Sequence, residues 1–185
     1  MRVLGIAGSL RRDSHNKRLL RAAAELLPPG AELTIYEGLK GIAPYDADDE
    51  DAGREPEAVR DFKAALAEAD AILIATPEYN SSVPGHLKNA LDWASRPVAT
   101  NVLRNKPVAV IGASTGMFGG VWAQAEMRKV LASIGARVID RELPVALADD
   151  AFAPDGRLVD GDQEIELGGI LAELVGEVRP LARAA

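Results

Sequence analysis

Three short stretches of the sequence combine residue types suited to an anion and to a flat ring. They are GSLRRDSHN at 8–16, TPEYNSSVPG at 76–85 and GASTGMFGG at 112–120. The first sets Ser9, Ser14 and Asn16 among Arg11, Arg12, Lys17 and Arg18. Hydroxyl and amide groups can donate to phosphate oxygens, and a guanidinium such as Arg11 can pair with them bidentately. The glycine spacing fits neither a P-loop nor Gly-x-Gly-x-x-Gly, which argues against a dinucleotide held in Rossmann fashion. The second stretch holds Tyr79 between Glu78 and Asn80, with Pro77 and Pro84 stiffening either side. Its backbone N–H groups suit a ring that gathers negative charge. In the third, Gly112, Gly116, Gly119 and Gly120 let backbone approach a flat ligand, and Ser114 and Thr115 add polar contacts. Each stretch also has a plainer reading: Ser14 or Asn16 caps a helix, Tyr79 packs while Glu78 is surface charge, and the glycines make a tight strand-to-helix turn.

These stretches need elements to bring them together. Apolar runs at 3–7, 31–36, 70–77 and 107–114 read as strands, with a weaker strand at roughly 137–143. Helical spacing appears between them, at Leu19–Leu27, Val59–Ala69, Leu87–Ala94, Met127–Ile134 and Leu167–Val178. Nearly continuous apolar strands separated by helices imply a parallel sheet covered on both faces. The expected fold is α/β, a flavodoxin-like three-layer sandwich with a five-stranded parallel sheet of order 2-1-3-4-5. That order is adopted from the common doubly wound type, in which ligands sit at the carboxyl ends of strands around the switch point. With strands about 4.8 Å apart, the first and third stretches would lie roughly 10 Å apart, room for an elongated ligand with a phosphate tail.

The totals restrict the function. The chain has 185 residues, 48% hydrophobic and 26% charged, and reads as a single domain spanning 1–185. Its net charge of −7 argues against nucleic acid. Cysteine is absent, which removes thiolate catalysis and zinc–thiolate sites and fits a cytoplasmic location. No run approaches the ~20 apolar residues of a membrane span. The acidic run at 46–57 places Asp46, Asp48, Glu50 and Glu57 at calcium-loop spacing, but Asp51 stands where the loop needs Gly. A solvated loop ahead of an acid-favouring helix start fits better. His15 and His86, the only histidines, have no partners at ligand spacing, so no metal is expected. His15 is expected to face the phosphate region or solvent. A hydrolase built on Ser9 and His86 lacks a nucleophile elbow.

The three stretches, with TPEYNSSVPGHLKNALDWASRP the most specific and PYDAD at 44–48 beside them, resemble the NADPH-dependent FMN reductase family, especially its quinone and chromate reductase branch. The resemblance runs from residue 3 to about 145. It implies a flavodoxin-like fold, bound FMN, and NADPH or NADH as electron donor. Ser9, Arg11, Ser14 and Asn16 would hold the FMN phosphate. Pro77, Glu78, Tyr79, Asn80 and Ser81 would border the isoalloxazine, with Ser114, Thr115 and Gly116 opposite. The implied activity is ping-pong reduction of quinones or similar small acceptors, among them chromate, azo compounds or free flavin. The cofactor carries that chemistry, so no catalytic side chain is expected. The alternative is a flavodoxin-type electron carrier without NAD(P)H oxidase activity. A homodimer or tetramer is implied, with Trp93 and Trp122 as anchors. Many relatives carry a larger residue at Ser81 and arginine at Trp122, which bears on substrate preference and on tetramer contacts.

Overall fold

The computed structural model describes residues 1–51 and 53–178; the last seven residues of the expected 1–185 domain lie outside this range. In chain order the elements are β1 (Arg2–Ala7), α1 (His15–Glu25), β2 (Glu32–Tyr36), α2 (Ala47–Asp51), α3 (Glu57–Glu68) and β3 (Ala71–Thr76). There follow α4 (Gly85–Ala94), β4 (Pro107–Ala113), α5 (Val121–Ile134), β5 (Arg137–Val138), β6 (Pro144–Val145) and α6 (Gly161–Gly176). All strand pairings are parallel, in the order β2-β1-β3-β4-β5, with β6 also on β4.

The inner strands are apolar throughout because both faces are covered. Every residue of β3 and β4 is buried. The pleat sends Leu73 and Ala75 to one side, with Leu19 and Leu20 of α1 and Leu167, Ile170 and Leu171 of α6. Ile72 and Ile74 go to the other, with Phe62 of α3, Leu87 and Leu91 of α4, and Met127 and Leu131 of α5. Each such side chain, fully buried, adds about 1.5–3 kcal/mol over leaving it in water. Caps fix where helices begin: Ser14 Oγ accepts from Lys17 N–H at 3.3 Å, and Asp160 accepts from Asp162 and Gln163. Gly135, at φ +96°, ends α5 in the left-handed conformation that glycine adopts freely.

Three expectations change. The strand expected at 137–143 is two short strands, β5 and β6, both against β4. Between them Arg141 pairs with Glu166 of α6 at 2.6 Å and Glu142 with Arg128 of α5 at 2.9 Å, so this charged stretch is drawn off the ladder. The acidic run contains a helical turn, α2, where a solvated loop was expected; Tyr45 donates its hydroxyl to Glu50 at 2.7 Å. Trp93 is fully buried, donates Nε1–H to the Ala43 carbonyl at 2.9 Å and meets Tyr45 edge-on, so it anchors no interface. No helix among the described residues is long and apolar enough to cross a membrane.

Candidate functional site

The carboxyl ends of β1, β3 and β4 adjoin in the sheet, and a cleft open to solvent lies between the loops that follow them. The first loop lends it Ser9, Arg11, Ser14 and Asn16; the second Pro77, Glu78 and Tyr79; the third Ser114 and Thr115. Asn80, Ser81 and Gly116 do not line it. His15 and Ala113 do, and sequence reasoning had assigned neither. Apolar Ala113 carries no chemical signal. His15, expected to face the phosphate region or solvent, stands between Ser14 and Asn16 and lines the cleft.

Local packing brings the first loop onto the sheet end. Gly8 donates its N–H to Ala75 at 2.8 Å, and a Cβ there would stand 2.7 Å from Leu87 and 3.0 Å from Pro77. His86 donates Nε2–H to the Gly8 carbonyl at 2.8 Å, a structural task. Ser9 and Ser14 are buried, whereas Arg11 is exposed. Ser14 both caps α1 and lines the cleft, since an oxygen that accepts from Lys17 can still donate its own O–H. Asn16 is buried and committed elsewhere: Nδ2 donates to the Ala113 carbonyl at 2.9 Å and Oδ1 accepts from Ala113 N–H at 3.0 Å. Only one amide hydrogen remains for a ligand, so its main work is to tether the first loop to the third.

Glu78 is also redirected. Its carboxylate accepts from Ala123 N–H at 3.1 Å, in the first turn of α5, where a negative charge meets the positive end of the helix. It is not loose surface charge: one carboxylate oxygen is committed to α5, and the residue lines the cleft. Tyr79 and Ser82 exchange backbone bonds at 3.0 and 3.2 Å, and Asn80 and Ser81 between them lie at φ +53° and +61°. Two left-handed residues inside such a bond pair make a type I′ turn. Glu126 of α5 secures the turn by accepting from Ser82 Oγ at 2.6 Å.

In the third loop Ser114 Oγ accepts from Gly116 N–H at 3.2 Å. The glycines there serve different ends. At Gly112 a Cβ would lie 2.8 Å from the Thr76 carbonyl, and at Gly119, φ +59°, it would run into the Pro144 backbone. At Gly116 a Cβ would meet only Ser114 Oγ, at an ordinary contact distance of 3.5 Å, so close approach does not require glycine there. Phe118 and Trp122 meet edge-on at 4.9 Å and stay exposed beyond this loop.

The cleft therefore presents hydroxyls, a guanidinium and a helix N-terminus at one end, which fits a phosphate. Apolar Pro77 and the half-exposed Tyr79 ring, beside glycine-rich backbone, fit a flat heterocycle at the other. The profile of a family described as NADPH-dependent FMN reductase matches residues 1–150. The chain belongs to that family.

Members of the NADPH-dependent FMN reductase family are oxidoreductases, and the similar proteins carry matching names. An NAD(P)H-dependent FMN reductase of Pseudomonas aeruginosa is 42% identical over 161 residues, 86% of this chain and 85% of that one. A 2-hydroxy-1,4-benzoquinone reductase of a Burkholderia species is 40% identical over 88% of this chain and 87% of its own. Among solved structures, the NAD(P)H:acceptor flavoenzyme FerB of Paracoccus denitrificans superposes with a TM-score of 0.82, at 34% identity and 96% coverage of each chain.

Proposed function

We propose that this protein is an FMN-dependent NAD(P)H oxidoreductase that reduces quinones and similar small acceptors. The observation that carries the reading is the cleft itself, in which Ser9, Arg11 and Ser14 stand together with Pro77 and Tyr79 at the carboxyl ends of β1, β3 and β4. When bound, FMN supplies the redox chemistry, taking a hydride from NAD(P)H and passing it to an acceptor.

The chain's residues hold and orient. Ser9, Arg11 and Ser14 grip the phosphate, and the first-turn N–H groups of α1 add to the field there. Asn16 sets the spacing between the two ends. Pro77 and Tyr79 border the ring, and the backbone of Asn80 and Ser81 is held at its edge by the type I′ turn. Ser114 and Thr115 face it from the third loop, while Gly116, outside the cleft, donates its N–H to Ser114 Oγ. No side chain acts as acid or base. Donor and acceptor use the same open face in turn, a ping-pong order. Chromate, azo compounds and free flavin are within reach of any exposed reduced flavin, so turnover of them does not identify the natural acceptor.

We further propose one domain over 1–185, working as a homodimer or tetramer. The exposed Phe118–Trp122 pair favours a contact between copies. A cytoplasmic site of action suits a reductase fed by NAD(P)H.

The test is the visible spectrum of purified protein incubated with FMN, then given NADPH under argon. A bound-flavin spectrum that bleaches is the expected result. Flavin that binds but stays oxidised with NADPH and NADH would identify an electron carrier, and no binding would sink the reading altogether.

A further inference from the structure

The segment after β6 joins two of the cleft's loops. Leu147 donates its N–H to the Gly116 carbonyl at 3.2 Å and Ala148 to the Ser114 carbonyl at 3.1 Å, so backbone at 147–148 holds the third loop. The next residue, Asp149, reaches the first turn of α1, where its carboxylate meets His15 Nε2 at 3.1 Å. Phe152 then stacks on the His15 ring, 6.3 Å between centroids and 10° from parallel. The Arg18 guanidinium lies 4.6 Å from the Phe152 ring centroid. Phe152 is itself fixed, buried in the core and bridged to Leu158.

His15 is the first residue of α1 and lines the cleft beside Ser9, Arg11 and Ser14. Its side chain is only 14% exposed, against 74% for Asp149. Its Nδ1 is buried and meets no partner among the described residues, so the contact to Asp149 is what fixes the ring's polar edge. The imidazole is gripped at Nε2 and stacked on an immobile phenyl ring.

We propose that Asp149 and His15 form a clasp that fixes the first turn of α1 against the third loop and thereby sets the cleft's preference for a flavin bearing a 5′-phosphate over one lacking it. This inference rests on the FMN reading above. The physical ground is preorganisation. First-turn N–H groups that a helix leaves unbonded attract an anion only while the turn stays wound and aimed. Ser14 secures the turn from within, at Lys17, and the clasp secures it from outside. An exposed carboxylate adds little to global stability, so its effect falls on local order at the phosphate end.

The experiment titrates FMN and riboflavin separately into flavin-free protein, following flavin fluorescence, for wild type, Asp149→Ala, Asp149→Asn and His15→Phe. Asp149→Ala and His15→Phe are expected to raise the Kd for FMN about tenfold, the equivalent of one hydrogen bond, and to leave riboflavin nearly unchanged. Asp149→Asn should stay close to wild type, because its amide oxygen still accepts from Nε2–H. Equal losses for both flavins, or unchanged or tighter FMN binding, would overturn the clasp. Wild-type protein that binds neither flavin would overturn the FMN reading first, and the clasp with it.

Discussion

Asn16 and Ala113, 97 positions apart in the chain, exchange a reciprocal pair of hydrogen bonds, the side-chain amide of one closing the backbone of the other. The pair is buried, and it spans from the first turn of α1 to the end of β4. It therefore sets how far the first loop of the cleft stands from the third.

Replacing Asn16 with Leu keeps the side chain's heavy-atom count and branching, though with bulkier methyl groups, and strands both Ala113 backbone groups. Each buried, unsatisfied group costs about 1–3 kcal/mol, so unfolding in urea should come about 2–6 kcal/mol more easily. FMN affinity should fall as well, since the first and third loops lose their tether. A variant as stable as wild type would show that water or a shifted backbone replaces the amide.

Gly119→Ala tests the third loop from the other side. A Cβ there would sit 2.7 Å from the Pro144 carbonyl oxygen, and the residue lies at φ +59°. Backbone cannot yield as a flexible side chain can. The expected cost is about 1–3 kcal/mol from strain and crowding, read as a lower Tm, with displacement of β6. Gly116→Ala, where a Cβ would make only an ordinary 3.5 Å contact with Ser114 Oγ, should leave the Tm within about 1 °C on the usual scale of surface substitutions.

The arginines of the first loop divide by role. Arg11→Gln should weaken FMN about tenfold or more and leave riboflavin unchanged, and the loss should shrink as salt rises, because the lost contact is charge-assisted. Arg12 does not line the cleft and is free to attract the pyridine nucleotide phosphates. Arg12→Ala should raise the KM for NADPH without changing the Kd for FMN. An unchanged KM would remove that role.

Lys106 supplies a pH test of stability. Burial pushes its ammonium pKa below the usual 10.5, although Nζ donates to the Ala67 and Ala69 carbonyls at the end of α3. In the window between the lowered value and 10.5 the unfolded chain binds more protons than the folded one, so this group makes stability rise with pH there. Lys106→Met should abolish that rise. Urea titrations of both proteins across the alkaline range should show wild type gaining on the variant as pH climbs. A constant difference would mean that the amine titrates alike in both states.

The layered fold was legible because burial on two faces leaves β1, β3 and β4 nearly pure in apolar residues. The order of strands was not, and came from resemblance to a known type. The break between β5 and β6 was hidden, since it depends on Arg141 and Glu142 finding Glu166 and Arg128 on helices elsewhere in the chain. Most residues of the cleft were legible from their chemistry. What stayed hidden was their second employment. Glu78 caps a helix that begins 43 positions later, as 121 − 78 gives, and Asn16 closes the backbone of a distant strand. A single sequence shows which groups can bond, not which partners the fold will deliver.

The split at the far side of the sheet has a consequence for how copies of this chain can meet. An unbroken edge strand offers a row of free N–H and C=O groups that another chain can extend, the route to fibrils and swapped sheets. Here that edge consists of two-residue β5 and β6, parted by charged Asp140, Arg141 and Glu142. Such a border is too short and too charged to template a further strand, so this side of the sheet is closed to extension by another chain.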